Sequence, residues 1–275
     1  MLRTNRLTKR FGGITATDEV TFELGDKLTS IIGPNGAGKT TFFNLLTGAL
    51  TPTEGTVELK KDGGWVDITG MDTHETAQMG IHRSYQITNV FPTTSVLENV
   101  RVAAQAHGSN SVRFWRNVNN FDEHYEEAYG ILDRVGLADK AEVPAENLSH
   151  GEKRQLEVGI ALAGDPDVLL LDEPNAGVSS EDIDAVKAII EDVATDHAVL
   201  LVEHNMDIVM DVSERIVVLN QGAVIADDKP ENIQGDPDVQ EAYLGGYEAG
   251  DLEARRQDTA ASQGSGTEPD GGGLA

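Results

Sequence analysis

The sequence predicts an α/β fold: a largely parallel sheet covered by helices, with an antiparallel β flank and an inserted helical subdomain. Three observations predict it. Apolar runs at 28–32, 168–171, 199–202 and 216–219 are nearly unbroken, the pattern of strands buried on both faces. Between two of those runs, Ile183, Val186, Ile189, Ile190 and Val193 recur at helical spacing and give one apolar stripe. The stretches 20–24, 56–59 and 65–68 instead alternate and lie near glycine turns, as strands of an antiparallel sheet do.

The order of these elements sets the organisation. Strand, helix and strand again make a parallel sheet with helices on its faces. From about 88 to 163 the chain is polar-rich with few strand signals, and it is expected to be the helical subdomain. One domain is expected over 1–247. At 248–275 the composition falls to Gly, Ala, Ser, Asp and Glu, which predicts a disordered acidic tail. There is no internal repeat.

Composition narrows the function classes. A chain of 275 residues can bury a real core. No apolar run approaches the roughly 18–20 residues of a membrane helix, and the start has no apolar signal core. A cytoplasmic protein is expected, with any membrane role coming through a partner. Cysteine is absent, so disulfides and thiolate metal sites are excluded. The 47 acids outnumber 21 Lys and Arg, giving a net charge of −26. Such a surface repels nucleic acid, which binds through Lys and Arg on phosphates. It also repels itself, and molar salt, with a Debye length of about 3 Å, screens that repulsion. The acid excess is read as adaptation to a salty cytoplasm, as in a halophilic archaeon.

The chemistry starts at Gly33-Pro34-Asn35-Gly36-Ala37-Gly38-Lys39-Thr40-Thr41, which matches the phosphate-loop pattern G-x-x-x-x-G-K-[ST]. An apolar strand precedes it, and Phe42, Phe43, Leu45 and Leu46 open a helix after it. The glycines let backbone N–H groups turn toward phosphate, and the helix N-terminus adds positive potential. Lys39 is expected at the β- and γ-phosphates of ATP, and the Thr40 hydroxyl on Mg²⁺. A Gly-rich turn that binds nothing would not need a Lys-Thr pair at its mouth. At the end of the run 168–171 stand Asp172 and Glu173, on the strand edge where open α/β sheets bind ligands. Asp172 is expected to hold Mg²⁺ through water, and Glu173 to orient or deprotonate the attacking water. Alone, such a pair is more often a loop start or a cap; beside a phosphate loop it reads as catalytic.

Leu148-Ser149-His150-Gly151-Glu152 discriminates further. It also reads as a Ser N-cap closed by Glu152 in a capping box. In this order, just before the acidic strand, it resembles the signature L-S-G-G-Q of ABC ATPases. The resemblance spans roughly 2–247. It implies that Phe11 stacks on adenine, that Gln86 links Mg²⁺ and water to a transmembrane partner, and that His204 contacts the γ-phosphate. Ser149 and Gly151 would meet the nucleotide held by a second ATPase subunit, homologous or identical, packed head to tail. His150 and Glu152 depart from the signature, and Ser179 stands where many members carry Asp. The other histidines are expected at the surface.

Residues 80–92, 172–178 and 222–245 resemble ATPases of branched-chain amino acid importers. That implies permease subunits as partners, a heterodimer in preference to a homodimer, and an extracellular solute-binding protein acting indirectly. A urea or short-chain amide importer is the nearest alternative. ABC ATPases that act on ribosomes or DNA are the more distant one, disfavoured by the single phosphate loop and the charge.

Overall fold

The computed structural model describes residues 1–84, 90–107, 120–178 and 182–244. Gln86, Ser179 and the tail at 248–275 lie outside the described residues. The antiparallel flank is a four-stranded sheet in the order β2-β1-β4-β5. Its strands are β1 (Leu2–Phe11), β2 (Ile14–Leu24), β4 (Glu54–Lys61) and β5 (Gly64–Asp67). The first strand and the first half of the second are additions to the sequence reading. Their alternation is broken where Arg6 and Glu19 take positive φ and the β1–β2 register shifts. Such bulges put two residues against one and spoil the two-residue period.

The second sheet has the order β10-β9-β3-β8-β7-β6. It is built from β3 (Thr29–Ile32), β6 (Ile81–Ser84), β7 (Val168–Asp172), β8 (Ala198–Val202), β9 (Arg215–Asn220) and β10 (Ala223–Asp228). The β9-β3-β8-β7-β6 pairings are parallel, and only β10 runs antiparallel. The exception follows from its link to β9, in which Gln221 and Gly222 both have positive φ, the geometry of a tight two-residue hairpin.

The unbroken apolar runs find their reason in the two cores. Leu169, Leu171, Val199 and Leu201 face the core made with the helices, α3 (Val96–His107), α4 (Asn120–Arg134), α5 (His150–Leu162) and α6 (Ile183–Val193). Their neighbours Val168, Leu170, Leu200 and Val202 face the other core, with α1 (Lys39–Leu46) and the antiparallel sheet. In α6 the stripe buries Val186, Ile189, Ile190 and Val193. A third cluster joins Ile32, Val218, Ile233 and Val239, placing α8 (Pro230–Gly235) and α9 (Pro237–Leu244) beside the end of β3. Among the described residues no helix is long and apolar enough to cross a membrane.

Two histidines are not the surface residues that the sequence suggested. His82 has its ring nitrogens 2.8 Å from the Ala161 carbonyl and 3.2 Å from that of Ala77. His197 Nδ1 lies 2.8 Å from the Pro166 carbonyl. Both are half-buried: His82 ties the ends of two helices together, and His197 holds the loop before β7.

Helix α1, which starts inside the phosphate loop, is seated by Phe42, whose ring meets Phe22 of β2 edge-on at 5.8 Å. Phe42 is 1% exposed. Phe42→Ala is therefore expected to cost about 3–5 kcal/mol, read as a fall in the urea unfolding midpoint with an unchanged slope.

Candidate functional site

The loop 33–38 leaves β3 and enters α1 at Gly38, which has φ 102 and ψ 3 and gives the helix no side-chain cap. With no acid in its first turn, the helix offers uncapped N–H donors and its positive end to an anion. A Cβ at Gly38 would sit 2.2 Å from the Ala16 carbonyl of β2. This close approach fixes the loop against the hairpin whose tip carries Phe11. Pro34 is half-buried, Asn35 and Gly36 are exposed, and Ala37 is buried. Thr40 is exposed at the helix start, and Thr41 follows half-buried. Lys39 is 7% exposed, and its Nζ donates to the carbonyls of Gly33 at 2.6 Å and Pro34 at 3.2 Å. Burial holds its pKa below the ordinary lysine value, against the opposing pull of the Glu173 and Asp172 carboxylates.

Asp172 ends β7 and is 4% exposed. Its Oδ2 accepts from Arg83 Nη2 of β6 in a buried ion pair. The same guanidinium donates through Nη1 to Asn44 Oδ1 of α1 at 2.6 Å. At Glu173 the chain turns left-handed, with φ 50, and its N–H donates to the Val202 carbonyl at 2.8 Å. Backbone held in that region costs of order 1–3 kcal/mol and concentrates at functional sites. Glu173 Oε1 and His204 Nε2 are 2.7 Å apart, so the residue after β7 and the loop after β8 share one hydrogen bond. Glu203, 5% exposed, holds the two loops together. Its carboxylate accepts from the Asn175 backbone N–H at 2.9 Å and from that of His204 at 3.0 Å.

Lys39, Asp172, Glu173 and His204 thus gather at the C-terminal edge of the parallel sheet. The signature stands apart. Ser149 caps α5: its Oγ accepts from the Glu152 N–H at 3.2 Å, while Glu152 Oε2 accepts from the Ser149 N–H at 2.8 Å. Lys140 pairs with Glu152 and, as the largest cause, holds its carboxyl below the ordinary value. Gly151 is buried with the Asp182 side chain over it, close enough that a Cβ would lie 3.0 Å from Oδ2. Among the described residues no hydrogen bond joins Ser149 or Gly151 to the phosphate loop. Phe11 is 46% exposed at the β1–β2 hairpin, with Lys9 Nζ 5.2 Å from its ring centre.

Arg83, Asn44, Glu203, Asp182 and Tyr243 escaped the sequence reading. Arg83 did leave a signal, a cation inside a short strand. Tyr243 of α9 packs on the cluster containing Ile32. Burial pushes its phenol up to about 12, opposed by a hydrogen bond from the Gly33 backbone.

The residues fit ATP with Mg²⁺. Among the described residues no group of three or more His, Cys, Asp or Glu could hold a metal alone. One hydroxyl and one carboxylate are the donors Mg²⁺ takes when phosphates complete its shell.

The chain as a whole is similar to known proteins. A family model described as ABC transporter matches residues 18–176. A second, described as Branched-chain amino acid ATP-binding cassette transporter, matches 223–249. The chain is 40% identical over 253 residues to the high-affinity branched-chain amino acid transport ATP-binding protein BraF of Pseudomonas aeruginosa, covering 89% of this chain and 98% of that one. It is 37% identical over 255 residues to the corresponding protein LivG of Salmonella typhimurium, with the same coverage. A crystal structure titled as the ADP conformation of an ATP-binding cassette of an ABC transporter superposes with a TM-score of 0.75 at 30% identity, covering 89% of this chain and 98% of that chain.

The two inner glycines of the loop separate fold from site. Gly36 has φ 81 and open space around it, so Gly36→Ala is expected to cost only the left-handed strain of about 1–2 kcal/mol. Gly38→Ala adds the collision with Ala16, a further ~1–3 kcal/mol, and displaces α1. Chemical denaturation should rank the two in that order, and nucleotide retention should be lost first in Gly38→Ala.

Proposed function

We propose that this chain, which belongs to the ABC transporter family of ATP-binding subunits, hydrolyses ATP at the 33–41 loop to drive uptake of branched-chain amino acids. The observation that carries the chemistry is the Glu173–His204 hydrogen bond of 2.7 Å beside the phosphate-loop lysine. The solute is inferred from the relatives and from the match at 223–249.

In this mechanism residues 33–38 and the N-terminus of α1 bind the phosphates, and Lys39 exchanges its carbonyl partners for β- and γ-phosphate oxygens. Phe11 stacks on adenine. Thr40, Asp172 and Gln86 hold Mg²⁺, which when bound neutralises phosphate charge. His204 engages Oε1 of Glu173 and contacts the γ-phosphate, leaving Oε2 to take a proton from the attacking water.

One chain carries half of each working site in this reading. Two subunits, in a heterodimer or a homodimer, pack head to tail so that Ser149 and Gly151 of one meet the γ-phosphate held by the other. The γ-phosphate adds contacts only to the closed pair and so shifts the population toward closure. Hydrolysis removes those contacts. The membrane partners are permease subunits, fed by an extracellular solute-binding protein, and the chain works from the inner face of the membrane. A cleft of about 320 Å³ lined by Ala77, His82, Ser84, Ala103 and Ile160 supports a docking place for a permease helix.

Glu173→Gln is expected to retain ATP, lose about 10²–10⁴ in turnover, and accumulate as a dimer by size exclusion. Wild-type turnover in that variant would remove Glu173 from the role of base. Lys39→Ala should weaken nucleotide binding itself, and unchanged affinity would take Lys39 out of the site. Co-purification with two permeases from native membranes tests the transport assignment, and recovery of ribosomal or DNA-bound proteins in their place would overturn it.

A further inference from the structure

We propose that Arg83 is a positioning residue for the metal: it pins Asp172 and sets that carboxylate's distance from the helix carrying Lys39 and Thr40. The inference rests on the assignment of Asp172 and Thr40 to Mg²⁺.

Arg83 lies on β6, the edge strand paired in parallel with β7, where it stands opposite Leu170. Its side chain and that of Asp172 are 8% and 5% exposed. A bare carboxylate so buried is costly, and a cation beside it is expected on that ground alone. Lys39, the other cation at this edge, directs its Nζ to the Gly33 and Pro34 carbonyls. Charge balance therefore explains why a cation stands at 83.

It does not explain the second arm. While Nη2 donates to Asp172 Oδ2, Nη1 donates to Asn44 Oδ1 at 2.6 Å. The guanidinium carbon also lies 5.6 Å from the centre of the Phe43 ring, on the same helix. Asn44 is one helical turn beyond Thr40. A single rigid fork thus spans the strand end that supplies one metal donor and the helix that supplies the other. Guanidinium geometry is fixed and planar, whereas an ammonium is a point charge on a flexible stem. Mg²⁺ demands near-octahedral geometry and tolerates little error in donor spacing. With Oδ2 held by Arg83, Oδ1 is the oxygen left for the metal shell.

The test uses the full-length chain carrying Glu173→Gln, so that nucleotide stays intact, with Mn²⁺ as an EPR probe in the presence of ATP. The Mg²⁺ concentration for half-maximal turnover is measured alongside it, in chains that keep Glu173. Arg83→Lys keeps the charge but cannot make both bonds. Asn44→Ala keeps the ion pair, and with it the buried charge balance, but removes the second arm. Both are expected to weaken Mn²⁺ binding and raise the Mg²⁺ requirement about 10-fold or more, as loss of an outer-shell partner does, with ATP affinity in EDTA unchanged. Asn44→Ala decides if Arg83→Lys does not fold. Wild-type metal dependence in both variants reduces Arg83 to a counter-ion. A shift in Arg83→Lys alone removes the link to the helix and equally overturns the proposal. Asp172→Asn in the same assay separates this inference from its premise: unchanged metal dependence there sinks the assignment of Asp172 itself.

Discussion

The central strands β7 and β8 are buried on both faces, and this constraint organises the molecule. A strand covered on both sides has no place for a charged side chain along its length. In β7 and β8 charged groups enter only where the strand ends, and the acids and the histidine of the site follow that rule. Asp172 ends β7, Glu173 follows it, and Glu203 and His204 follow β8. Parallel pairing in register, with Asp172 opposite Val202, then brings those ends side by side. The Glu173–His204 contact is a consequence of the sheet more than of either loop.

Putting charge at such an edge requires local compensation, which the chain supplies with cations although acids outnumber bases more than two to one. Arg83 answers Asp172, and buried Lys39 lies within the field of Asp172 and Glu173. Glu203 is met by backbone N–H groups of Asn175 and His204. Most of the remaining ion pairs among the described residues have at least one well-exposed partner, where water screens the attraction. The net charge is thus a property of the surface, while the site keeps its own balance.

What the sequence made legible follows from range. The phosphate loop, the acidic strand end and the capping box at Ser149 are short contiguous patterns, each closed within a few residues. The two-faced strands were legible because burial on both sides leaves an unbroken apolar run. β1 and the first half of β2 were not, because bulges near Arg6 and Glu19 erase their period. Arg83 and Glu203 were missed for another reason. Their distant partners lie 39, 89 and 28 residues away, and only the strand order β8-β7-β6, with α1 packed on the sheet, makes them neighbours. Gln86 and Ser179 lie outside the described residues, so their roles rest on the sequence resemblance.

The cap at the start of α5 has a consequence for hydrogen-bond polarity. A hydroxyl has one proton to give and lone pairs to receive with. Ser149 Oγ already receives, from the Glu152 N–H, to hold the helix end. Its proton is left free to donate, and Ser149 is exposed. In the proposed head-to-tail pair, an incoming oxyanion would meet a donor held at the helix end, so the fold of one subunit would preselect the sign of charge its neighbour could present. Aspartate at 149 would serve the helix equally well, yet it would turn that welcome into repulsion.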